Sequence, residues 1–364
     1  MKGIDLLLTV KAPGKLYIAG EDAVVEPGQP AILIAVDQFV YATVEKSTQG
    51  CFSSKQLTNK KLFWAHQAEQ LIPAKQDHDF DYVVTAAKIT EHYAHEQGKE
   101  LTTYTLKLDS DLDSPEGKKY GLGSSAAVTV AVVKALNAFY DLKLDSLEIF
   151  KLAAIAHYTV QKNGSLGDIA ASSFGGWIAY HSCDRNWLME QVKTHSISEL
   201  LALPWPKLKI ESLTPPSDLR LLIGWTGSPA STSKLVNEVS LSKDERKQRY
   251  SDFLAGSKAC LTKMIIAFKE HDLVAIQKQI KRDRQLLKTL EQITQVVIET
   301  DTLRALIELS FEFGAQAKTS GAGGGDCGIA ILDQALPYKE LLLAWQEHGI
   351  TPLDICVYNP QKGG

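Results

Sequence analysis

Two helical patterns stand back to back over residues 125–140 and 146–162, with a short polar turn between them and no strand before about residue 175. A doubly wound parallel sheet needs strands and helices in alternation, because each crossover helix must return the chain to a neighbouring strand. This order breaks the alternation and favours an α+β architecture. The segment ahead of the helices, to about residue 110, reads mostly as strand. "DLLLTVKA", "AILIAVDQFVYATVEKS" and "LTTYTLKLDS" combine β-branched and aromatic residues with partial alternation. A turn at Glu26-Pro27-Gly28 and a helical patch near residues 82–97 interrupt them. The second helix of the pair opens on Asp145, a capping residue, before the periodic run "SLEIFKLAAIAHYTV".

A Gly/Ser turn, "NGSLGD", leads into a strand, "GGWIAYHS", and residues 185–217 read as irregular around Pro204, Pro206, Pro215 and Pro216. The second half opens on the strand "LRLLIGWTG" and continues in helices near 230–242, 245–270, 272–290 and 302–318. A glycine loop, a helix at 337–348 and a strand near 353–358 follow. At 364 residues the chain exceeds one core, and the composition shift divides it into residues 1–185 and 186–364.

The net charge of −4 excludes a generally basic nucleic-acid surface. Five scattered cysteines, none in a C-x-x-C spacing, suit a reducing cytosol and argue against a disulfide framework or zinc ribbon. His92 and His95 share a helix face that reads as solvated, and no H-E-x-x-H is present. The first residues do not form a convincing signal peptide, and no apolar run has the length of a membrane span. A soluble cytoplasmic protein, a monomer or homodimer with neither nucleic acid nor membrane as partner, is the expectation.

The chemistry concentrates at "YGLGSSAAVTVAVVKAL", residues 120–136, where a glycine and serine turn becomes an apolar helix without a break. A helix N-terminus presents unpaired N–H groups and the positive end of the dipole. Gly121 and Gly123 let the backbone curl into a nest, and Ser124 and Ser125 add hydroxyls, a setting that suits phosphate. On the turn alone, an anion nest and a tight packing turn are equally good readings. Gly121, Gly123 and Ala126 also fit the dinucleotide fingerprint, but "DSPEGKKY" before them is no strand and a helix follows, so that reading fails.

Three further stretches draw notice. Asp168 in "NGSLGDIAASSFGG" reads, taken alone, as a helix cap. "KTSGAGGGDCGIAIL" spends chain entropy on consecutive glycines, which calls for positive φ or close approach to a ligand. "APGKLYIAGEDAVV" positions Lys15 after a Pro-Gly turn, near Glu21 and Asp22.

In order, "KAPGKLYIAGEDAVV", "YGLGSSAAVTVAVVKAL" and "KTSGAGGGDCGIAIL" resemble the three motifs of the GHMP kinases, and the match spans most of the chain. "GSLGDIAASSFGGWIAY" and "LLIGWTGSPASTSKLV" are most similar to the bacterial phosphomevalonate kinases of that superfamily. The resemblance implies a ribosomal S5 domain 2-like N-terminal lobe and a ferredoxin-like C-terminal lobe, with ATP and substrate between them. It implies transfer of the ATP γ-phosphoryl group to 5-phosphomevalonate in the mevalonate route to isoprenoids. Mevalonate kinase or another GHMP kinase is the nearest alternative, and a non-catalytic metabolite-binding protein on the same scaffold the next.

Residue by residue, the resemblance assigns Gly121, Leu122, Gly123, Ser124, Ser125 and Ala126 to the ATP phosphates, with Lys118 drawing them in. It assigns Lys15 and Asp168 to catalysis and Ser125 to Mg²⁺. The phosphomevalonate site would take Lys15, Glu21, Ser165, Asp168, Thr226, Gly227, Ser228, Thr232, Gly321, Ala322, Gly323 and Gly324. Two positions depart from the pattern: His157 stands where mevalonate kinases carry a metal-binding glutamate, and Asp22 where His or Tyr is usual. A phosphate acceptor is already anionic, since its second pKa lies near ~6. The task is therefore to offset repulsion, on the order of 4 kcal/mol per unit pair at 4 Å for an effective dielectric near 20.

Overall fold

The structure, a computed structural model, describes residues 7–112, 120–227 and 247–360. It begins with a long antiparallel hairpin of β1 (Leu8–Ala19) and β2 (Pro30–Lys46). The hairpin loop holds a short 3-10 segment, Ala23–Val25. β3 (Gly50–Ser54), β4 (Lys60–Gln67) and β5 (Gln70–Pro73) follow, then α1 (Asp81–Glu96) and β6 (Tyr104–Ser110). Three helices come next, α2 (Ser124–Phe139), α3 (Ser146–Gln161) and α4 (Gly167–Phe174), ahead of β7 (Trp177–His181). The span expected to be irregular contains α5 (Arg185–Gln191), α6 (Ile197–Ala202) and β8 (Lys209–Leu213).

These strands make one eight-stranded sheet in the order β5-β4-β3-β6-β2-β7-β8, with β1 on β2. Residues on both sides of position 185 therefore share a sheet. One edge of β2 is taken along its length by β1; the other is divided, residues 40–46 with β6 and 30–34 with β7. Between those partners the chain near its C-terminus returns: Val357 bridges Val36, and the Tyr358 N–H donates to the Ala35 carbonyl at 2.9 Å.

The second sheet is antiparallel and four-stranded. β9 (Leu219–Trp225) leads through α7 (Lys247–Lys269), α8 (Leu273–Thr294) and α9 (Asp301–Glu312) to β10 (Gln316–Ser320) and β11 (Cys327–Asp333). α10 (Tyr338–Glu347) and β12 (Thr351–Leu353) complete it, in the order β10-β11-β9-β12. That order is the ferredoxin-like one, and the expected α+β class with its two lobes is what the chain adopts. The helix expected over 302–318 stops at Glu312, because Gly314 turns with φ 78° and the chain re-enters as β10.

α2 packs on β1 and β2 and against α1, α3 and α4. Its buried set, from Ala126 through Leu136, runs round most of its surface, as a helix enclosed on all sides requires. Small side chains let those neighbours approach, which fixes the start of α2 against the first hairpin. α3 opens on the capping box of Asp145 and Glu148.

Candidate active site

α2 begins at Ser124 from a cap residue, Gly123, held in the left-handed region at φ 77° with no side-chain cap. The first helical hydrogen bond is from Ala127 N–H to the Gly123 carbonyl at 3.1 Å, so the N–H groups before it lack a helix partner. β1 buttresses this turn: Lys15 N–H donates to the Leu122 carbonyl at 2.8 Å. A Cβ on Gly123 would stand 3.0 Å from the Lys15 stem, so a glycine is needed for the lysine to cross here. The Lys15 ammonium donates to the Gly121 carbonyl at 3.1 Å and lies 5.4 Å from the centre of the Tyr17 ring. Among the described residues no carboxylate is ion-paired with it.

These groups border a cleft of about 400 Å³ between the two sheets. Lys15, Glu21, Gly121, Gly123, Ser124, Ser125, Ser165, Asp168, Gly321 and Ala322, all expected at the site, line it. Leu122 and Ala126 do not: Leu122 contributes its carbonyl to β1, and both side chains are in the core. Lys118, Ser228 and Thr232 lie outside the described residues.

Asp168 stands in the first turn of α4, its Oδ1 accepting from the Ile169 N–H at 2.9 Å. It makes no ion pair with Lys15 among the described residues, so any coupling between them runs through what the cleft binds. Its charge reaches His157 and Tyr17. Burial lowers the pKa of His157 and Asp168 opposes that; burial raises the Tyr17 hydroxyl and Asp168 adds to the rise. His157 is neutral in this setting. Its Nε2 is 3.3 Å from Ser125 Oγ, its ring stacks on Tyr82 at 5.0 Å, and its Nδ1 is buried with no partner among the described residues.

Ser165 is engaged inside the protein. Its hydroxyl meets Tyr17 Oη at 2.9 Å and accepts from the Gly167 N–H at 3.2 Å. A Cβ on Gly167 would come within 2.7 Å of the Tyr17 hydroxyl, which is why a glycine stands before Asp168. Glu21 is likewise engaged. Lys318 Nζ, fully buried on β10, donates to Glu21 Oε1 at 2.5 Å and lies 3.3 Å from Asp283 Oδ2 on α8. Burial works against the Lys318 charge, but Glu21 and Asp283 outweigh it and hold the ammonium protonated.

The loop between β10 and β11 explains the glycine run. Gly321, Gly323, Gly324 and Gly325 all have positive φ, between 71° and 126°. Gly323 packs on Ile298, and the Gly324 N–H donates to the Ile298 carbonyl at 2.9 Å, so neither lines the cleft. Thr226 does not line it either. Its hydroxyl bonds the Gly325 and Asp326 carbonyls and its N–H donates to Asp326 O at 3.1 Å, pinning the loop to β9. Gly227 follows, open, at φ 82°. Trp225 closes a wall against Tyr120 at 5.2 Å.

Sequence reasoning passed over Tyr17, Tyr82, Lys318, Asp283 and Asp326, whose carboxylate lies over Gly121. The alternation of β1 put Tyr17 beside Lys15 and was the one available signal; nothing in the sequence around Lys318 or Asp283 marks either as a partner of Glu21. A second cavity, of about 360 Å³, lies between α1 and the β4–β5 turn. There His95 pairs with Glu69 at 3.3 Å, and His92 with Glu96 at 3.3 Å. Among the described residues no three His, Cys, Asp or Glu side chains form a metal-binding group.

Comparison with known proteins agrees with this geometry. The family model for the GHMP kinases N terminal domain matches residues 81–176, and that for the GHMP kinases C terminal matches 264–351. A phosphomevalonate kinase of Streptomyces sp. (strain CL190) is 36% identical over 357 residues, 94% of this chain and 95% of that protein. The structure of Streptococcus pneumoniae phosphomevalonate kinase in complex with phosphomevalonate and AMPPNP superposes with a TM-score of 0.84 at 29% identity. It covers 96% of this chain and 100% of that one. A mevalonate kinase of Thermococcus sibiricus is more distant, 28% identical over 88% of this chain and 87% of that protein.

Proposed function

The chain belongs to the GHMP kinases, and on that footing we propose that it is a phosphomevalonate kinase. It transfers the ATP γ-phosphoryl group to the phosphate of 5-phosphomevalonate, giving the 5-diphosphate and ADP. The observation that carries this is the cleft itself: a helix start without a side-chain cap, and a lysine that has no carboxylate partner among the described residues, face one cavity with Asp168. The likeness over nearly the whole chain to a phosphomevalonate kinase supports the choice of acceptor.

The α2 start holds the ATP phosphates through its N–H groups and the hydroxyls of Ser124 and Ser125. Lys15 bridges the transferring phosphoryl group and the acceptor, offsetting the repulsion between two polyanions. Gly121 and Tyr17 hold the ammonium by a carbonyl and a ring face, neither of which neutralises it. Asp168 orients the substrate; a phosphate dianion is nucleophilic without a base. Mg²⁺ fits the donors present, since it asks for one or two protein oxygens beside substrate phosphates, and Asp168 and Ser125 offer them. When bound it would supply positive charge to the phosphates.

No helix among the described residues is long and apolar enough to cross a membrane. The reading includes a soluble, cytoplasmic monomer or homodimer of two lobes, the first of which keeps β8 beyond residue 185. ADP release coupled to NADH oxidation, compared for 5-phosphomevalonate and mevalonate, tests the function. The expected preference for 5-phosphomevalonate exceeds 100-fold in kcat/KM; a preference for mevalonate refutes the assignment.

A further inference from the structure

Asp22 has no part in the chemistry above, yet its setting is unusual. It centres a three-residue γ-turn, closed by the Ala23 N–H on the Glu21 carbonyl at 2.5 Å, with φ 57° and ψ −52°. Glycine adopts that conformation freely, and an aspartate there is strained. The side chain is 8% exposed and lines the cleft. Its Oδ2 is sealed from solvent with no hydrogen-bond partner among the described residues, and Oδ1 is the oxygen left to the cleft that the residue lines.

The charged and titratable groups around it come from five elements. Glu21 precedes it on the turn, Asp283 faces it from α8 and Lys318 from β10. Tyr17 on β1 and Tyr250 on α7 also feel its charge, the Tyr250 hydroxyl donating to Glu26 Oε1 at 3.3 Å. Glu21, Asp22 and Asp283 share one ammonium, and Lys318 contacts the other two carboxylates rather than Asp22. Burial first, then Glu21, push the Asp22 carboxyl up to about 7.

We propose that Asp22 is a specificity-determining residue that carries its proton when the acceptor binds and donates a hydrogen bond from Oδ1 to an acceptor oxygen. This rests on the phosphomevalonate kinase reading of the cleft. A neutral carboxyl adds a donor where an anion must settle, whereas the ionised group repels it; crowding by like charge in a buried site keeps such an acid neutral near pH 7.

The test measures KM for 5-phosphomevalonate and for ATP from pH 6 to pH 9, with melting temperatures, in the wild type, Asp22→Asn and Asp22→Gly. The wild-type acceptor KM should rise about fivefold between pH 7 and pH 8 as the protonated fraction falls. Asp22→Asn, a permanent neutral donor, should flatten that rise. Asp22→Gly should raise the acceptor KM at every pH while melting higher, since it relieves the turn and removes a buried acid. The ATP KM should follow neither change. An unaltered rise in Asp22→Asn, or an unaltered acceptor KM in Asp22→Gly, overturns the inference. Wild type that turns over 5-phosphomevalonate with a pH-flat KM sinks this inference alone; no turnover at all sinks the functional reading with it.

Discussion

Lys15 owes its availability to what it lacks. Among the described residues this lysine is ion-paired with no acid and rests on a carbonyl and an aromatic face. Lys15→Met keeps the stem that crosses Gly123 and removes only the ammonium. It should cut kcat by roughly 10²–10³-fold, the scale of losing one group that stabilises transition-state charge. Its melting temperature should stay within a few degrees of wild type, and near-normal turnover would remove Lys15 from the mechanism. Lys15, Asp168 and the helix-start residues were legible in the sequence because each sits in a local pattern of turn, helix and charge. Glu21 was legible as a position but not as a partner: its ion pair spans 297 residues. Asp283 and Lys318 read locally as residues of the expected helices 272–290 and 302–318, and only the folded chain brings them to Glu21.

Among the elements, the start of α2 and the β10–β11 loop both line the cleft and are held differently. α2 is fixed by its buried apolar surface, whereas the loop depends on a few backbone contacts. Thr226 supplies several of these from β9, through its hydroxyl and its N–H. Thr226→Val preserves shape and removes the hydroxyl, a loss of about 1 kcal/mol or slightly more. The expected result is a melting temperature lower by a few degrees and an acceptor KM raised several-fold, read by thermal denaturation and steady-state kinetics. An unchanged KM would show that the loop keeps its place without Thr226. Helices were the readable part of the fold, since α3 and α8 carry both period and a capping acid, Asp145 and Asp272. β3 and β5 escaped notice because they are short, and β4 because its turn into β5 runs through Ala68 and Glu69, both at positive φ without a glycine to mark it. β8 was hidden among prolines.

At the scale of the molecule, the ion cluster of Glu21, Lys318 and Asp283 is a joint between the lobes. Lys318→Met leaves buried carboxylates without a cation and should destabilise the fold by about 3–5 kcal/mol at pH 8. The folded-state pKa values of Glu21 and Asp22 are raised to about 7, above their ordinary range. Their favourable contribution is thus complete below about pH 4 and lost as the pH climbs through 7. The deficit in Lys318→Met should therefore shrink on going from pH 8 to pH 5, measured by urea denaturation; a deficit that grows on acidification would contradict the charge assignment. The first sheet has a joint of another kind in residues 356–358, which lie against β2. Cys356 N–H donates to Asp37 Oδ1 across 319 residues of chain, and the Tyr358 ring shares the Lys11 ammonium with Phe39. β2 takes β1, β6 and β7 from the first half of the chain, but residues 35–37 on its edge take their partners from residues 356–358. The first sheet is therefore sealed by a segment that follows the whole second sheet in sequence, so its β2 edge is complete only with residues 356–358 in place.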